Sequence, residues 1–435
     1  MTEIAAEIET PDEAPDAPDL KGAPVAFGIT WLSYASYYLG RKWLGVTKVA
    51  LEQAFGESAL YGVETMYLAS YAVGQGVAAS LGDKLGARVI LGAGMLLSAA
   101  ACVAFGFSTG IVLFLVTMLV NGLAQATGWP GNVKAMGEWT PPSRRGAVMG
   151  LWTTCYTVGG IAASFIAGRL LKSHGFRLAI VLPAVAMGLV GVLVLLFLKP
   201  GPLGNRKAPG AAALSPEDEA AEKTANAEAR AKVLRSPLVW SYGASYFFIK
   251  LTRYSLLFWL PKYLQVGLGY EPERAAYFST SFEIGGIAGA VALGLLSDRF
   301  RKVPRPAFAA ASLVGLAAAF YLYLRVGGLG PEANFLSMAL IGVLLYGPDA
   351  LLSGAAAQDA GGPRAAALAA GMVNGLGSLG GIAQELVTRQ VSDRWGWSAL
   401  FWVFLALALF AALSLAPTLR RRPPSPALSK AERVG

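Results

Sequence analysis

Arg41 and Arg253 each stand deep inside a long apolar run, in YYLGRKWLGVTK and FFIKLTRYSLLFWLPKYL. A charge at the centre of a bilayer costs about 2.5–3.5 kcal/mol on insertion scales and normally faces a cavity or a partner. Neither arginine has an acid close by on its own helix. A guanidinium offers a planar fork of N–H donors that grips phosphate or carboxylate through two parallel bonds. Two such groups facing one another form an anion site. The competing reading is that each is neutralised by Glu64, Glu283 or Asp349 in a structural pair. Tyr38 and Tyr34, three and seven residues before Arg41, share its face of an ideal helix. Lys250, three before Arg253, shares that face too and would supply a third positive group. Lys42 is turned roughly 100° from Arg41.

These residues need elements that hold them at membrane depth. The chain has 435 residues, is 55% hydrophobic and only 14% charged, against roughly 25% charged in soluble domains. Apolar runs predict twelve transmembrane helices near 24–52, 58–81, 87–107, 110–138, 146–171, 178–198, 236–265, 273–297, 305–325, 335–358, 364–390 and 396–417, each of about 20 residues or more. The fold class is therefore all-α membrane protein, in two six-helix bundles. Residues 1–23 are an acidic, Pro-rich tail expected to be disordered, with no basic segment leading into an apolar one, so the first helix is expected to serve as its own insertion signal. Residues 24–198 form the first half and 236–417 the second. Between them, 199–235 opens with KPGPLGNRKAPG and continues as a charged, Ala-rich segment, a solvated connector. Residues 418–435 are a basic tail.

Basic residues set the orientation. Lys84 with Arg88, Arg144 with Arg145, the connector, Arg299 with Lys302 and Arg305, Arg364, and Arg420 to Arg422 all fall on one side, which puts both termini in the cytoplasm. The segment holding Lys172, His174 and Arg177 breaks the rule. ASLGDKLGAR at 79–88 and GLLSDRFRK at 294–302 repeat one loop pattern, with Asp83 and Asp298 offset by 215 residues. Arg41 and Arg253 are offset by 212. Two motifs recurring at half the chain length point to duplicated halves, with a site on the axis between them. In each loop the aspartate can cap a helix and pair with a base across a gate, which makes Asp83, Lys84, Arg88, Asp298 and Arg299 candidate gating residues.

Several segments resemble the organophosphate:phosphate antiporter family of the major facilitator superfamily. They are YYLGRK, GWPGNVKAMGEW at 128–139, RRGAVMGLW at 144–152, RYSLLFWLPKYL at 253–264, YGP at 346–348 and AAGMVNGLGSLGG at 369–381, and they cover nearly the whole chain. The resemblance implies that Arg41 and Arg253 hold a phosphoryl group. It implies that Tyr34, Tyr38, Trp129, Trp152 and Tyr346 line the cavity and that Glu283 is an acidic residue of the eighth helix with a coupling role. The chain departs from the family at Tyr156, where familiar members carry a histidine, at Gln75 and Lys250, where they carry a lysine and a tyrosine, and at Asp349.

The expected function is secondary active transport of a small phosphorylated or other anionic metabolite across the inner membrane, by alternating access, in exchange for inorganic phosphate. Two alternatives stay open: proton-coupled transport of a carboxylate through Glu283 or Asp349, and a transporter-like sensor of a sugar phosphate. Net charge is +9, but the bases sit in short loops and form no nucleic-acid surface. Cys102 and Cys155 fall inside apolar helices as packing residues, and His174 stands alone, so no metal or other cofactor is expected. No nucleophile triad or phosphate loop argues for an enzyme. A monomer in the lipid bilayer is expected.

Overall fold

The computed structural model describes residues 20–140, 145–203, 216–300 and 302–419. Arg144, Arg301, Arg420 to Arg422 and most of both tails lie outside the described residues, as do the side chains of Asp83, Lys84, Arg145 and Arg364. The gating expectation at Asp83 and Lys84 thus lies outside them as well.

Among the described residues, twelve membrane-length helices follow in order. The first, α1, is composite: Ala23–Tyr37, a 3-10 turn Tyr38–Gly40, and Trp43–Phe55. Then come α2 (Val63–Leu85), α3 (Ala87–Phe107) and α4 (Ile111–Trp139). A short helix, Arg145–Trp152, leads into Thr154–Phe197, which bends at Gly175 into α5 and α6. After the connector helix Pro216–Leu234 come α7 (Pro237–Val266), α8 (Pro272–Arg299), α9 (Arg305–Val326) and α10 (Pro331–Gly362). The stretch Leu368–Leu419 bends at Gly396 into α11 and α12. At both bends the glycine has φ near +80° with an extended ψ, a corner closed to residues with a Cβ.

Among the described residues, seven stretches are long and apolar enough to cross a membrane by composition; two hold a bend, so they account for nine crossings. The three crossings that fall short are α1, α2 and α7. Those three carry Arg41, Lys42, Lys48, Glu64, Lys250, Arg253 and Lys262. Their polarity is that of a seam turned away from lipid, where intramembrane charges belong.

Small residues set the backbones close. A Cβ on Gly159 of α5 would come within 2.4 Å of the carbonyl oxygen of Ala35 in α1, and one on Gly380 of α11 within 2.0 Å of that of Phe247 in α7. Ala35 and Phe247 carry the same 212-residue offset as the two arginines, so the halves repeat this packing. Across the seam, Trp43, Phe105 and Phe114 join an apolar cluster with Phe258 and Trp259. In the second half, α8 lies directly on α10. A Cβ on Gly285 or Gly289 would stand 1.9 Å from the carbonyl oxygens of Ala339 and Val343, and one on Gly342 2.0 Å from that of Phe282. This contact fixes Glu283 of α8 relative to Tyr346 and Asp349 of α10.

Gly289→Ala is therefore expected to force α8 and α10 apart at a cost of about 1–3 kcal/mol, the range of overpacking in a core. Gly294→Ala, five residues on with nothing within 4 Å of the added carbon, is expected to be neutral or slightly stabilising. Melting temperatures of the purified variants in detergent compare the two directly; equal temperatures would refute the close-contact account.

Candidate functional site

The helix that carries Arg41 is broken where it carries it. The 3-10 turn ends at Gly40, and Arg41 has φ −131°, outside helical geometry. A break frees backbone carbonyls that need partners in lipid. Three side chains supply them. Asn121 Nδ2 donates to Gly40 O at 3.0 Å, Cys102 Sγ donates to the same oxygen at 3.4 Å, and Gln125 Nε2 donates to Tyr37 O at 3.1 Å. Asn121 and Gln125 are one turn apart on α4, and both are fully buried. Gln125 Nε2 also donates to Ser98 Oγ at 2.9 Å, which turns Oε1 of the amide toward the arginine. Arg41 then donates twice to that oxygen, from Nε at 3.0 Å and Nη2 at 2.7 Å. Its guanidinium lies over the rings of Tyr38 and Tyr71, 4.7 and 5.7 Å from their centroids. Among the described residues no carboxylate lies within ion-pair distance of Arg41, so its charge is held by a neutral amide and two π faces.

Arg253 is treated differently. Its Nη1 lies 2.9 Å from Asp349 Oδ2, and its guanidinium sits 4.4 Å from the centroid of the Tyr346 ring. Both arginines line one central pocket with Tyr38, Tyr156, Tyr346 and Glu283. Tyr67, Tyr71, Tyr254 and Thr157, none of them singled out by sequence, complete much of the remaining wall. Glu283 pairs with Lys42 at 2.9 Å, and both side chains are about 95% buried. The partners come from opposite halves, so a buried ion pair crosses the seam beside the pocket.

Other expected site residues are placed elsewhere. The break at Tyr38–Gly40 ruins the helical phase that put Tyr34 on the side of Arg41. Tyr34 is instead packed among Tyr37, Tyr38, Trp129 and Trp152. Trp152 is fully buried and donates from its indole to Thr30 Oγ1 at 3.1 Å. Trp129, more than a third exposed, packs edge-on to Tyr34 rather than lining the pocket. Lys250 turns toward α11, with Nζ 3.4 Å from Ser378 Oγ and 5.1 Å from the Tyr246 ring centroid, so it does not stand on the pocket wall. The two readings of the arginines divide accordingly: Arg253 has the acidic partner Asp349, and Arg41 has none. Glu64 serves neither.

Glu64 belongs to a second set of charges, at the end of the bundle away from the chain termini. It pairs with Lys48 and accepts hydrogen bonds from Trp259 Nε1 at 2.8 Å and Gln384 Nε2 at 2.9 Å. Lys262 of α7 pairs with Glu52 of α1 at 2.7 Å. Arg389 of α11 lies 3.4 Å from Glu57 and stacks 4.0 Å from the Tyr61 ring centroid. Glu385 of α11 accepts the backbone N–H groups of Gly62 and Thr65 at 2.8 Å each, so the second half caps the N-terminus of α2 in the first. Of the bases that break the charge rule, Lys172 finds a partner here: it pairs with Glu273 of α8 at 2.6 Å, and Arg169 lies 3.4 Å from the same carboxylate. All of these bonds except the Lys48–Glu64 pair join the two halves. The pocket is closed on this side.

At the opposite end Asp298 pairs with Arg305 at 3.1 Å, and Arg305 reaches Asp359 at 3.0 Å. These two contacts stay within the second half. Arg88 donates to the carbonyl of Leu195 within the first half, and Arg299 is exposed.

Comparison with known proteins fits this architecture. Residues 30–384 match the family model of the Major Facilitator Superfamily. The chain is 29% identical over 464 aligned residues to sugar phosphate exchanger 3 of Gallus gallus, covering 91% of this chain and 92% of that one. It is 27% identical over 454 residues to the glucose-6-phosphate exchanger SLC37A2 of Mus musculus, covering 89% and 90%. In fold it is similar to the crystal structure of a bacterial homolog of the human lysosomal transporter Spinster, with a TM-score of 0.69 at 17% identity over 91% of this chain and 95% of that one. The chain belongs to the Major Facilitator Superfamily and, within it, to the organophosphate:phosphate antiporter family.

Proposed function

We propose that this chain is a secondary active transporter that carries a small phosphorylated metabolite across the inner membrane in exchange for inorganic phosphate, as a monomer with both termini in the cytoplasm. One observation carries the reading: two guanidiniums, from repeat-equivalent positions in opposite halves, line a single pocket at the seam. Guanidinium forks suit phosphoryl oxygens, and the exchangers to which the chain is similar are named for sugar phosphates.

The geometry suits alternating access. The bonds between Glu52, Glu57, Gly62, Glu64 and Thr65 on one side and Trp259, Lys262, Gln384, Glu385 and Arg389 on the other seal the outer end. Arg41 and Arg253 repel one another while the pocket is empty. A phosphoryl dianion between them removes that repulsion and lets the halves close around it from the cytoplasmic side. The dianion also lies near Glu283, where it repels the carboxylate and attracts Lys42. Both effects loosen the ion pair that crosses the seam, which must part before the halves rock the other way.

In proteoliposomes loaded with inorganic phosphate, Arg41→Lys and Arg253→Lys are each expected to reduce phosphate exchange at least about tenfold, the loss of a charge-assisted bond worth about 1.5–3 kcal/mol. Yield should be unchanged. Wild-type exchange in both variants would sink the clamp.

Glu283→Gln leaves Lys42 buried without a carboxylate, a change that costs about 3–5 kcal/mol for a buried pair. It is expected to lower the melting temperature, and Lys42→Met in the same chain should recover it while exchange stays slow. If the double variant is no more stable than the single one, the ion pair is not the linkage that holds the seam.

A further inference from the structure

We infer that the corner between α5 and α6 docks the phosphate of an anionic lipid headgroup, which takes Arg169 and Lys172 from Glu273 when the two halves part at that end. The inference does not depend on what the central pocket carries.

Arg169, Lys172 and Arg177 flank the bend at Gly175, at the end of the bundle away from the chain termini, where bases are disfavoured. All three are exposed. The side chains of Arg169 and Lys172 are 67% and 57% exposed, and both reach one carboxylate, Glu273, which is only 14% exposed. Arg177 has no carboxylate within ion-pair distance among the described residues, and its guanidinium lies 5.9 Å from the Phe176 ring centroid. The charges flanking Glu273 in sequence, Glu271 and Arg274, offset each other. Three bases therefore share one acid, and exposed ion pairs contribute little. Lys262 and Arg389, at the same end, differ: their side chains are 10% and 11% exposed and paired with Glu52 and Glu57.

The surface that leads to these bases faces lipid. Phe165, Arg169 and Lys172 fall at i, i+4 and i+7, on one face of α5. Phe165 is 42% exposed and stacks on Tyr277 of α8 at 4.1 Å. Ile166 of α5 and Leu178 and Leu182 of α6 are exposed as well. An acyl chain lying along Phe165 brings its headgroup to Arg169 and Lys172, about one and two turns further on. There the phosphate forms charge-assisted bonds with guanidinium and ammonium. A free anion has no apolar part and gains nothing from this face, so the occupant is a lipid.

The competition with Glu273 follows from the packing. Gly168 lets α5 close on α8, since a Cβ there would stand 2.6 Å from that of Ala276. Tyr277 donates to Glu273 at 2.8 Å and holds the carboxylate in place. While α5 and α8 touch, Glu273 keeps the bases. Once they part it no longer reaches them, and the headgroup becomes their partner. Anionic lipid thus favours the form open at this end.

A fluorophore on His174→Cys, beside the bases, reports the lipids around the corner, while Cys102 and Cys155 are buried. The purified full chain is placed in vesicles of phosphatidylcholine and phosphatidylglycerol. Quenching by either lipid, spin-labelled near the top of its acyl chain, gives their relative affinity. The wild type is expected to prefer phosphatidylglycerol about fivefold, the worth of one base at an anionic surface, and less as sodium chloride is added. Arg169→Gln with Lys172→Gln is expected to lower the ratio to about twofold or less. Glu273→Gln releases both bases and is expected to keep or raise it. Exchanging chloride for inorganic phosphate at equal ionic strength should leave the wild-type ratio unchanged. A wild-type ratio of one, an undiminished ratio in the double variant, or a ratio lost in Glu273→Gln would overturn the inference. A ratio that collapses in phosphate would overturn it too, because the corner then takes a free anion. The wild-type measurements decide even if a variant does not fold.

Discussion

Everything at the centre of this molecule follows from the need to keep the charge of Arg41 in a bilayer without a counter-charge. The answer is Gln125, whose amide is fixed at both ends: its nitrogen is spent on a main-chain oxygen and a serine, so its oxygen can only face the guanidinium. That arrangement in turn needs α1 to break, because an intact helix would have no free carbonyl at Tyr37 or Gly40 for Gln125 and Asn121 to bind. A glycine is required at the break, since a Cβ on Gly40 would stand 2.5 Å from the Gln125 amide. Break, amide and arginine form one unit, and the outcome is a cation that is satisfied but not neutralised. An anion entering the pocket meets a full charge on that side.

The second half solves the same problem with a carboxylate. Arg253 and Asp349 satisfy each other locally, so the duplicated scaffold presents two unlike arginines. The bonds that cross the seam are of a kind suited to breaking. Buried ion pairs contribute little net stability compared with apolar packing of the same volume, because desolvation offsets attraction. A closure built from Lys262 with Glu52, Arg389 with Glu57 and Lys42 with Glu283 can therefore separate and rehydrate at modest net cost. The seam's apolar contacts include the cluster that holds Trp43, Phe258 and Trp259 and the Phe165 ring stacked on Tyr277 at 4.1 Å.

Much of this was legible in the sequence. Apolar runs of membrane length gave the crossings, and the offset between Arg41 and Arg253 placed them across an axis. Asp349 and Glu283 stood out as acids in apolar runs, but their partners did not. Charge pairing across the seam depends on which helices meet, and nothing local assigned Lys42 to Glu283 rather than to lipid headgroups. Tyr34 was misplaced because a helical wheel assumes an unbroken helix, and YYLGRK carries only one glycine to hint otherwise. Lys250 does share an unbroken helix with Arg253, but a long side chain is not bound to the direction of its Cα, and Gly377 and Ser378 of α11 leave room for its stem away from the pocket. Asn121 and Gln125 carried a signal that was passed over: two uncharged amides one turn apart in a span as apolar as VLFLVTMLVNGLAQ need buried partners.

The dependence of Arg41 on Gln125 also bears on how the chain is made. Membrane insertion proceeds from the N-terminus as residues emerge from the ribosome, and α1 is among the three crossings too polar to be retained on composition alone. Its charge acquires a partner only when residue 125, in the fourth crossing, has been synthesised. Until then Arg41 sits in a nascent bundle with an unsatisfied fork, where water, a headgroup or an insertion factor must serve it. The amide of Gln125 thus ties the first crossing to the fourth.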